Sequence, residues 1–311
     1  MALRFTFRQL EYFVAVGEEG SIARASKRVN VSSPSISSAI TQLEDEFRLS
    51  LFVRKHAQGL TLSQAGRQFM DQARKVLAEA EALNRLGSAI SGQVQGPLNI
   101  GCLLTFAQVI LPGLRRDFQN TYPAVSIRQF ELDPVEIVEN LRRAKIDVAL
   151  TYDLDLPPDL DFIPLRQLPP YVMVAESHEL AGSRSVSVSD LADLPMVLLD
   201  LPLSADYFLG FFEAQNMRPN IAERTRDIAV MRSLVANGFG YAIGNIRPRD
   251  DVAPDGRKLR FLPLTGAVKP MRLGVLVPPA ARNVLTVQSF IDHTQDVIDA
   301  WGFPGDAIEK V

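Results

Sequence analysis

Between Ser63 and Gly92 the chain carries a single helical stripe of about 25 residues, and this feature constrains the fold most. Phe69, Ala73, Val76, Ala80 and Leu83 recur at alternating steps of four and three, and Ile90 extends the row. That spacing is a heptad seam: narrow, apolar and confined to one face. A helix so long cannot close a small core on its own, and its narrow seam predicts pairing with a second copy of the chain rather than packing on its own downstream domain. Ser63 reads as the cap at its start, and Gly92, Gly96 and Pro97 end it and mark a linker. The chain of 311 residues therefore divides into three parts: residues 1–62, a helix over 63–91, and residues 92–311.

Residues 1–62 read as three short helices and a hairpin. Leu10, Phe13 and Val14 lie on one face of a helix from Phe7 to Glu18, which Gly20 stops. Ser21 caps a second helix with Ile22, Ala25 and Val29 turned inward. After a turn at Asn30-Val31, Ser32 caps a third helix over 33–48, with Pro34 early enough to cost no hydrogen bond and Ile36, Ile40, Leu43 and Phe47 buried. Residues 51–54 and 59–62 form two strands around the loop Lys55-His56-Ala57-Gln58. Two short helices joined by such a turn are the unit that lays its second helix in the DNA major groove. The outward face of that helix carries Ser33, Ser35, Ser37, Ser38 and Thr41, hydroxyls able to meet base edges or phosphates. Before Arg48 it carries no cation, so the phosphate grip falls to Arg8, Arg24, Lys27, Arg28, Arg54, Lys55 and His56, with Lys55 and His56 on the hairpin. Charge agrees in sign: residues 1–90 hold 12 Lys and Arg against 9 Asp and Glu, while the rest holds 21 against 27.

From residue 97 apolar strands alternate with helices, the pattern of a parallel α/β sheet. Strands are expected at 98–103, 125–130 and 147–151, with helices at 105–120 and 134–144 between them. Residues 169–175, 196–199 and 240–244 suggest a second α/β lobe, followed by a strand at 271–277 and a helix at 284–301. No run of about 18 uncharged apolar residues suggests a membrane span, and the opening residues have no apolar signal core, so a cytoplasmic location is expected. The lone Cys102 cannot form an internal disulfide and reads as a buried thiol. His56, His178 and His293 are too far apart for metal-ligand spacing, and neither a phosphate loop nor a nucleophile elbow is present. Neither an enzyme, a metal site nor a cofactor is expected.

Five stretches now carry a resemblance. Phe7-Arg8-Gln9-Leu10-Glu11-Tyr12-Phe13-Val14-Ala15-Val16, Gly20-Ser21-Ile22-Ala23-Arg24-Ala25-Ser26, Ser32-Ser33-Pro34-Ser35-Ile36-Ser37, Ile40-Thr41-Gln42-Leu43-Glu44, and the run from Leu51-Phe52-Val53-Arg54 to Leu62-Ser63-Gln64-Ala65-Gly66 resemble, in order and spacing, the winged helix-turn-helix of LysR-type transcriptional regulators. Leu98-Asn99-Ile100-Gly101, Leu111-Pro112 and Gly238-Phe239-Gly240-Tyr241 extend the likeness downstream. Two departures stand out. Ser33 occupies the place where the family usually has a glutamine before Pro34, and Ala25-Ser26 replaces the usual Ala-Ala pair.

The resemblance implies an α/β fold with a largely α-helical winged helix-turn-helix head and a two-lobed effector domain shaped like a periplasmic binding protein. It implies lobe I at about 97–165 and 269–300 and lobe II at about 166–265, with crossings near Ile163-Pro164-Leu165 and Phe261-Leu262-Pro263. The implied partners are double-stranded promoter DNA, a small-molecule effector, a second copy through the linker helix, a tetramer beyond that, and RNA polymerase. Regulation by a protein partner instead of a small molecule is the alternative. Ligands of open α/β sheets sit beyond strand carboxyl ends. Here that rule selects Leu104, Thr105 and Phe106 in lobe I, and Asp200, Pro202, Leu203 and Ser204 in lobe II. Asp153 also follows a strand end; Arg226 offers a balancing cation, and Gly238 lies in the family-like segment. Thr105 and Ser204 could equally be plain helix caps, and the effector could be anionic or zwitterionic.

Overall fold

The computed structural model describes residues 4–55 and 59–301, which form two compact units divided at Gly87.

In the N-terminal unit, α1 (Phe7–Glu19), α2 (Ile22–Val29) and α3 (Ser33–Phe47) precede β1 (Phe52–Lys55), β2 (Gly59–Leu62) and α4 (Gln64–Ser91). The boundaries follow from local chemistry. Thr6 and Gln9 close a capping box on α1, and Gly20 ends that helix in the left-handed conformation. Ser21 and Ser32 accept backbone N–H bonds at the starts of α2 and α3. Leu10, Phe13, Leu43, Leu51, Met70 and Ala73 form the main core, joined by the rings of Phe47 and Phe69 4.8 Å apart. Ala15, Val16, Ala25, Ile36 and Ile40 form a second cluster. The strands β1 and β2 pair antiparallel as a wing. Glu44 ties that wing to α3, because its carboxylate accepts from the backbone N–H groups of Leu51 and Phe52 at 2.7 and 3.2 Å.

The heptad stripe divides in use. Phe69 and Ala73 pack into this unit's own core instead of facing outward along a continuous seam, because α1 and α3 already present rings there. Further along α4, Leu83 and Leu86 stand exposed; the side chain of Ile90 lies outside the described residues.

The C-terminal unit opens with β3 (Gly96–Leu103), α5 (Leu104–Ala107), α6 (Leu111–Thr121), β4 (Val125–Leu132), α7 (Pro134–Arg142), β5 (Val148–Tyr152) and β6 (Asp161–Leu168). A second group follows: β7 (Tyr171–Ala175), a 3-10 turn at Glu179–Gly182, β8 (Val186–Ser187), α8 (Val188–Leu191), β9 (Pro195–Leu199), α9 (Ser204–Glu213), β10 (Asn220–Thr225), α10 (Ile228–Ala236), β11 (Ala242–Gly244) and β12 (Leu259–Thr265). The chain returns through β13 (Met271–Val277), α11 (Pro279–Arg282) and α12 (Leu285–Trp301). The single helix expected over 105–120 is two. Pro112 lacks the N–H that would bond back to Gln108, so the chain turns and restarts at Leu111.

The first sheet runs β4-β3-β5-β13-β6, with β4, β3 and β5 parallel and β13 antiparallel to both neighbours. The second runs β11-β7-β12-β8, and the parallel pair β9–β10 joins it through a bridge between Met196 and Tyr241. There Gly240, at φ +146°, lets the backbone close on Pro195; a Cβ would lie 2.0 Å from the Pro195 carbonyl oxygen. The chain passes between sheets at Leu168–Tyr171 and at 266–270, in both cases later than the expected crossings. Residues 163–165 and 261–263 are still in ladders there, because β13 holds β6 as far as Leu168 and β7 holds β12 as far as Pro263.

Candidate nucleic-acid interface and ligand cleft

On the head, the serine-rich face of α3 is largely open. Pro34, Ser35, Ser38 and Thr41 are exposed, whereas Ser33 and Ser37 are partly covered. Local bonds orient several of them: Ser35 shares a 2.7 Å bond with Ser32, and the Thr41 hydroxyl donates to the Ser37 carbonyl. Gln42, also exposed, donates to Ser38 and accepts from Gln9 at 2.8 Å. Sequence reasoning passed over Gln42, although its position one residue after Thr41 on the same helix offered the signal. Arg24 stays exposed, but its guanidinium folds back on the Glu19 carbonyl and pairs with the Glu19 carboxylate at 3.7 Å. Arg54 and Lys55 lie on β1 of the wing, their side chains outside the described residues, as is the whole of His56. Arg28 is drawn into an ion pair with Glu18 at 2.7 Å.

Between the two sheets of the C-terminal unit lies a cleft of about 390 Å³. Of the residues selected from sequence, Leu104, Thr105, Ser204 and Arg226 line it together. The others do not. Phe106 is fully buried behind the wall, its ring tilted against that of Tyr152 at 4.5 Å. Asp153 accepts from the backbone N–H and the Nε of Arg272 at 2.7 and 2.6 Å, so it locks β5 to β13. Asp200 pairs with Arg224 at 3.1 Å. Leu203, held at φ +63°, lines a separate groove beside α7. Pro202 is outside the lining, as is Gly238, which follows the end of α10 in the left-handed conformation.

Sequence reasoning missed much of the polar wall. Tyr152 ends β5, Tyr171 begins β7 and Asn245 follows β11; all three line the cleft. Asn245 obeys the same strand-end rule that selected Thr105, but β11 is only three residues long and left a weak signal. Burial pushes both tyrosines far above the ordinary phenol range, so both stay neutral. Tyr171 donates to the Ile246 carbonyl at 2.7 Å. Glu131, Asp133 and Glu136 edge the lobe I side, where Asp133 and Glu136 close a capping box on α7 and Glu131 accepts from Gln129. Two buried atoms in the cleft have no hydrogen bond of good geometry, Thr105 Oγ1 and Asn245 Oδ1. Such orphans are rare in native interiors and mark a place for water or ligand.

Among the described residues no group of His, Cys, Asp and Glu could hold a metal ion, and no helix is long and apolar enough to cross a membrane.

Comparison with known proteins agrees with both halves. Residues 7–67 match the model for the bacterial regulatory helix-turn-helix protein, lysR family, and residues 91–299 match the LysR substrate binding domain. Over 237 residues the chain is 29% identical to the DNA-binding transcriptional dual regulator OxyR of Escherichia coli, spanning 76% of this chain and 77% of that protein. A putative LysR family transcriptional regulator from Pseudomonas aeruginosa superposes with a TM-score of 0.64 at 32% identity, covering 95% of this chain and all of that one. Full-length CbnR complexed with its target DNA superposes with a TM-score of 0.65 at 25% identity, covering 94% and 99%. The family is one of regulators and not of enzymes. With an open helix-turn-helix face at one end of the sequence and a two-sheet cleft domain at the other, the chain belongs to the LysR family of DNA-binding transcriptional regulators.

Proposed function

We propose that this regulator binds a small molecule in the cleft between its two C-terminal sheets, and that occupancy alters how its heads hold promoter DNA. The observation that carries this reading is the cleft with two buried polar atoms that lack a hydrogen bond of good geometry, Thr105 Oγ1 and Asn245 Oδ1, on opposite lobes. A ligand meeting both would favour one lobe angle over another. Differential affinity for two lobe arrangements is all that a population shift requires.

On DNA, the exposed Ser35, Ser38 and Thr41 are the candidates for base contact, and the wing cations Arg54, Lys55 and His56 for phosphate contact. Ser33, in place of the family's usual glutamine, shortens the reach toward a base. Two chains pair through the exposed Leu83 and Leu86 end of α4, setting two heads about one helical turn of DNA apart or a multiple of it. Association of C-terminal domains into a tetramer, and contact with RNA polymerase at the promoter, complete this reading.

The test is a gel-shift titration on DNA upstream of its own gene at several salt concentrations. Saturable, sequence-selective binding with a steep salt slope is expected. Thr105→Val should leave that binding intact while removing any effector response. An unaltered dose–response in the variant would refute the cleft as the sensing site.

A further inference from the structure

The inner wall of the cleft carries more chemical information than its rim. Resting on the reading that the cleft is the effector site, we propose that the effector presents a neutral group that both donates and accepts hydrogen bonds, such as a primary carboxamide, a lactam or an N–H heterocycle, rather than a bare carboxylate.

Asn245 is only 6% exposed. Its Nδ2 donates to the Leu168 carbonyl at 2.7 Å and to the Tyr207 hydroxyl at 3.3 Å. The Leu168 oxygen can only accept, so the amide cannot be turned round. Tyr207 agrees, because its own proton goes to the Lys269 carbonyl and leaves a lone pair toward Nδ2. Both contacts reach the segments where the chain crosses between sheets. They fix Oδ1 as a buried atom that can only accept and that no protein donor meets. An occupant must therefore bring an N–H or O–H to it.

Thr105, 8% exposed on the opposite lobe, has no hydrogen bond of good geometry, its hydroxyl resting only against the neutral Tyr152 phenol. Those two hydroxyls can serve an acceptor on the occupant. Among the described residues no charged side chain stands with Thr105, Tyr152 and Asn245 in the buried wall; Asp133, half-buried on the lobe I edge, is engaged in the capping box of α7. The cation of the cleft, Arg226, is exposed, and Glu131 and Glu136 on the lobe I edge are exposed as well. A carboxylate set in the inner wall would face the Oδ1 lone pairs without a counter-ion. A planar amide brings an N–H for Asn245 Oδ1 and a carbonyl for the Thr105 and Tyr152 hydroxyls, with Leu104, Leu201, Phe208 and Met231 left to cover an apolar body.

The experiment uses the full-length protein and three matched probes: benzamide, benzoate and N,N-dimethylbenzamide, which keeps the carbonyl and loses both N–H groups. Each is titrated by calorimetry against the wild type, Thr105→Val and Asn245→Ala. Benzamide should bind at least about tenfold more tightly than either other probe, the scale of one buried acceptor left unpaired. Asn245→Ala should erase that preference; if this variant does not fold, the wild-type comparison decides alone. Equal or tighter binding of benzoate or N,N-dimethylbenzamide, weakened by Thr105→Val, would overturn the donor requirement and leave the cleft reading standing. Binding of no probe, or binding indifferent to Thr105→Val, would overturn the cleft reading and this proposal with it.

Discussion

Single residues in this protein set limits that composition alone does not reveal. Gly66 sits in the first turn of α4, where a Cβ would lie 2.0 Å from the Leu51 carbonyl oxygen. That oxygen accepts from Ser63 N–H at 2.9 Å, and the Ser63 hydroxyl both donates to the Ser50 carbonyl and accepts from Gly66 N–H. Gly66→Ala must push the wing away from α4. A loss of ~2–3 kcal/mol, typical of overpacking against rigid backbone, is expected and can be read from urea unfolding. Cys102 makes the opposite case. It is wholly buried, and burial, with Glu131 adding repulsion, pushes its thiol far above the ordinary range. A hydrogen peroxide-inducible genes activator is among the similar proteins, yet here the single thiol is neither exposed nor ionised. Cys102→Ala should leave DNA affinity unchanged with or without hydrogen peroxide, as a gel shift would show. Legibility in sequence differed in the same way from residue to residue. Thr105 could be read because it lies two residues past the end of a strong apolar strand, whereas Tyr171 reaches the cleft only through the turn between sheets. Asp153 and Asp200 obeyed the strand-end rule but had cations waiting on β13 and β10, and pairing across sheet neighbours is invisible without the register.

At the scale of elements, the head is held by a shared carboxylate as well as by its core. Glu18, at the end of α1, receives Arg28 of α2 at 2.7 Å and Arg74 of α4 at 2.8 Å. Burial alone would raise this carboxyl, but the hydrogen bonds from Arg74 and Arg28 outweigh it and hold its pKa below the ordinary value. A carboxyl depressed in the folded state stabilises fully above its unfolded pKa of about 4.3 and loses that contribution as pH falls through the folded value. Glu18→Gln should therefore flatten the acid limb of the head's stability curve below about pH 4.5 and lower stability near neutrality, with thermal melts across pH as the measure. The helices of the head were legible because serine caps and apolar spacing agree locally at each one. The break between α5 and α6 was legible in principle at Pro112. The short strands β8 and β10 were not, because their own residues carry little apolar alternation, whereas β11 lies within the expected 240–244 segment. On α4 the first three members of the apolar seam, Phe69, Ala73 and Val76, serve the head, which only the packing of the head's own core against them reveals.

At the scale of the whole molecule, the two C-terminal sheets are joined by two short crossings, and both touch the cleft's polar wall. Asn245 reaches the Leu168 carbonyl at one crossing, and through Tyr207 the Lys269 carbonyl at the other. A change in the angle between the sheets must therefore alter the surroundings of Asn245 in the cleft wall, so any occupant held there would share its atoms with the crossings. The order of strands has another consequence, one that belongs to synthesis. β13 lies between β5 and β6 in the first sheet, yet it is made about a hundred residues after β6, once every strand of the second sheet has been synthesised. Until then β5 and β6 each carry an open, apolar edge, and the nascent chain is exposed to mispairing. A chain stopped just before Met271 should collect in the insoluble fraction when expressed, while the same chain extended through Val277 should show a rise in soluble yield. For this protein the moment of greatest vulnerability falls late, in the interval between finishing one lobe and supplying the strand that closes the other.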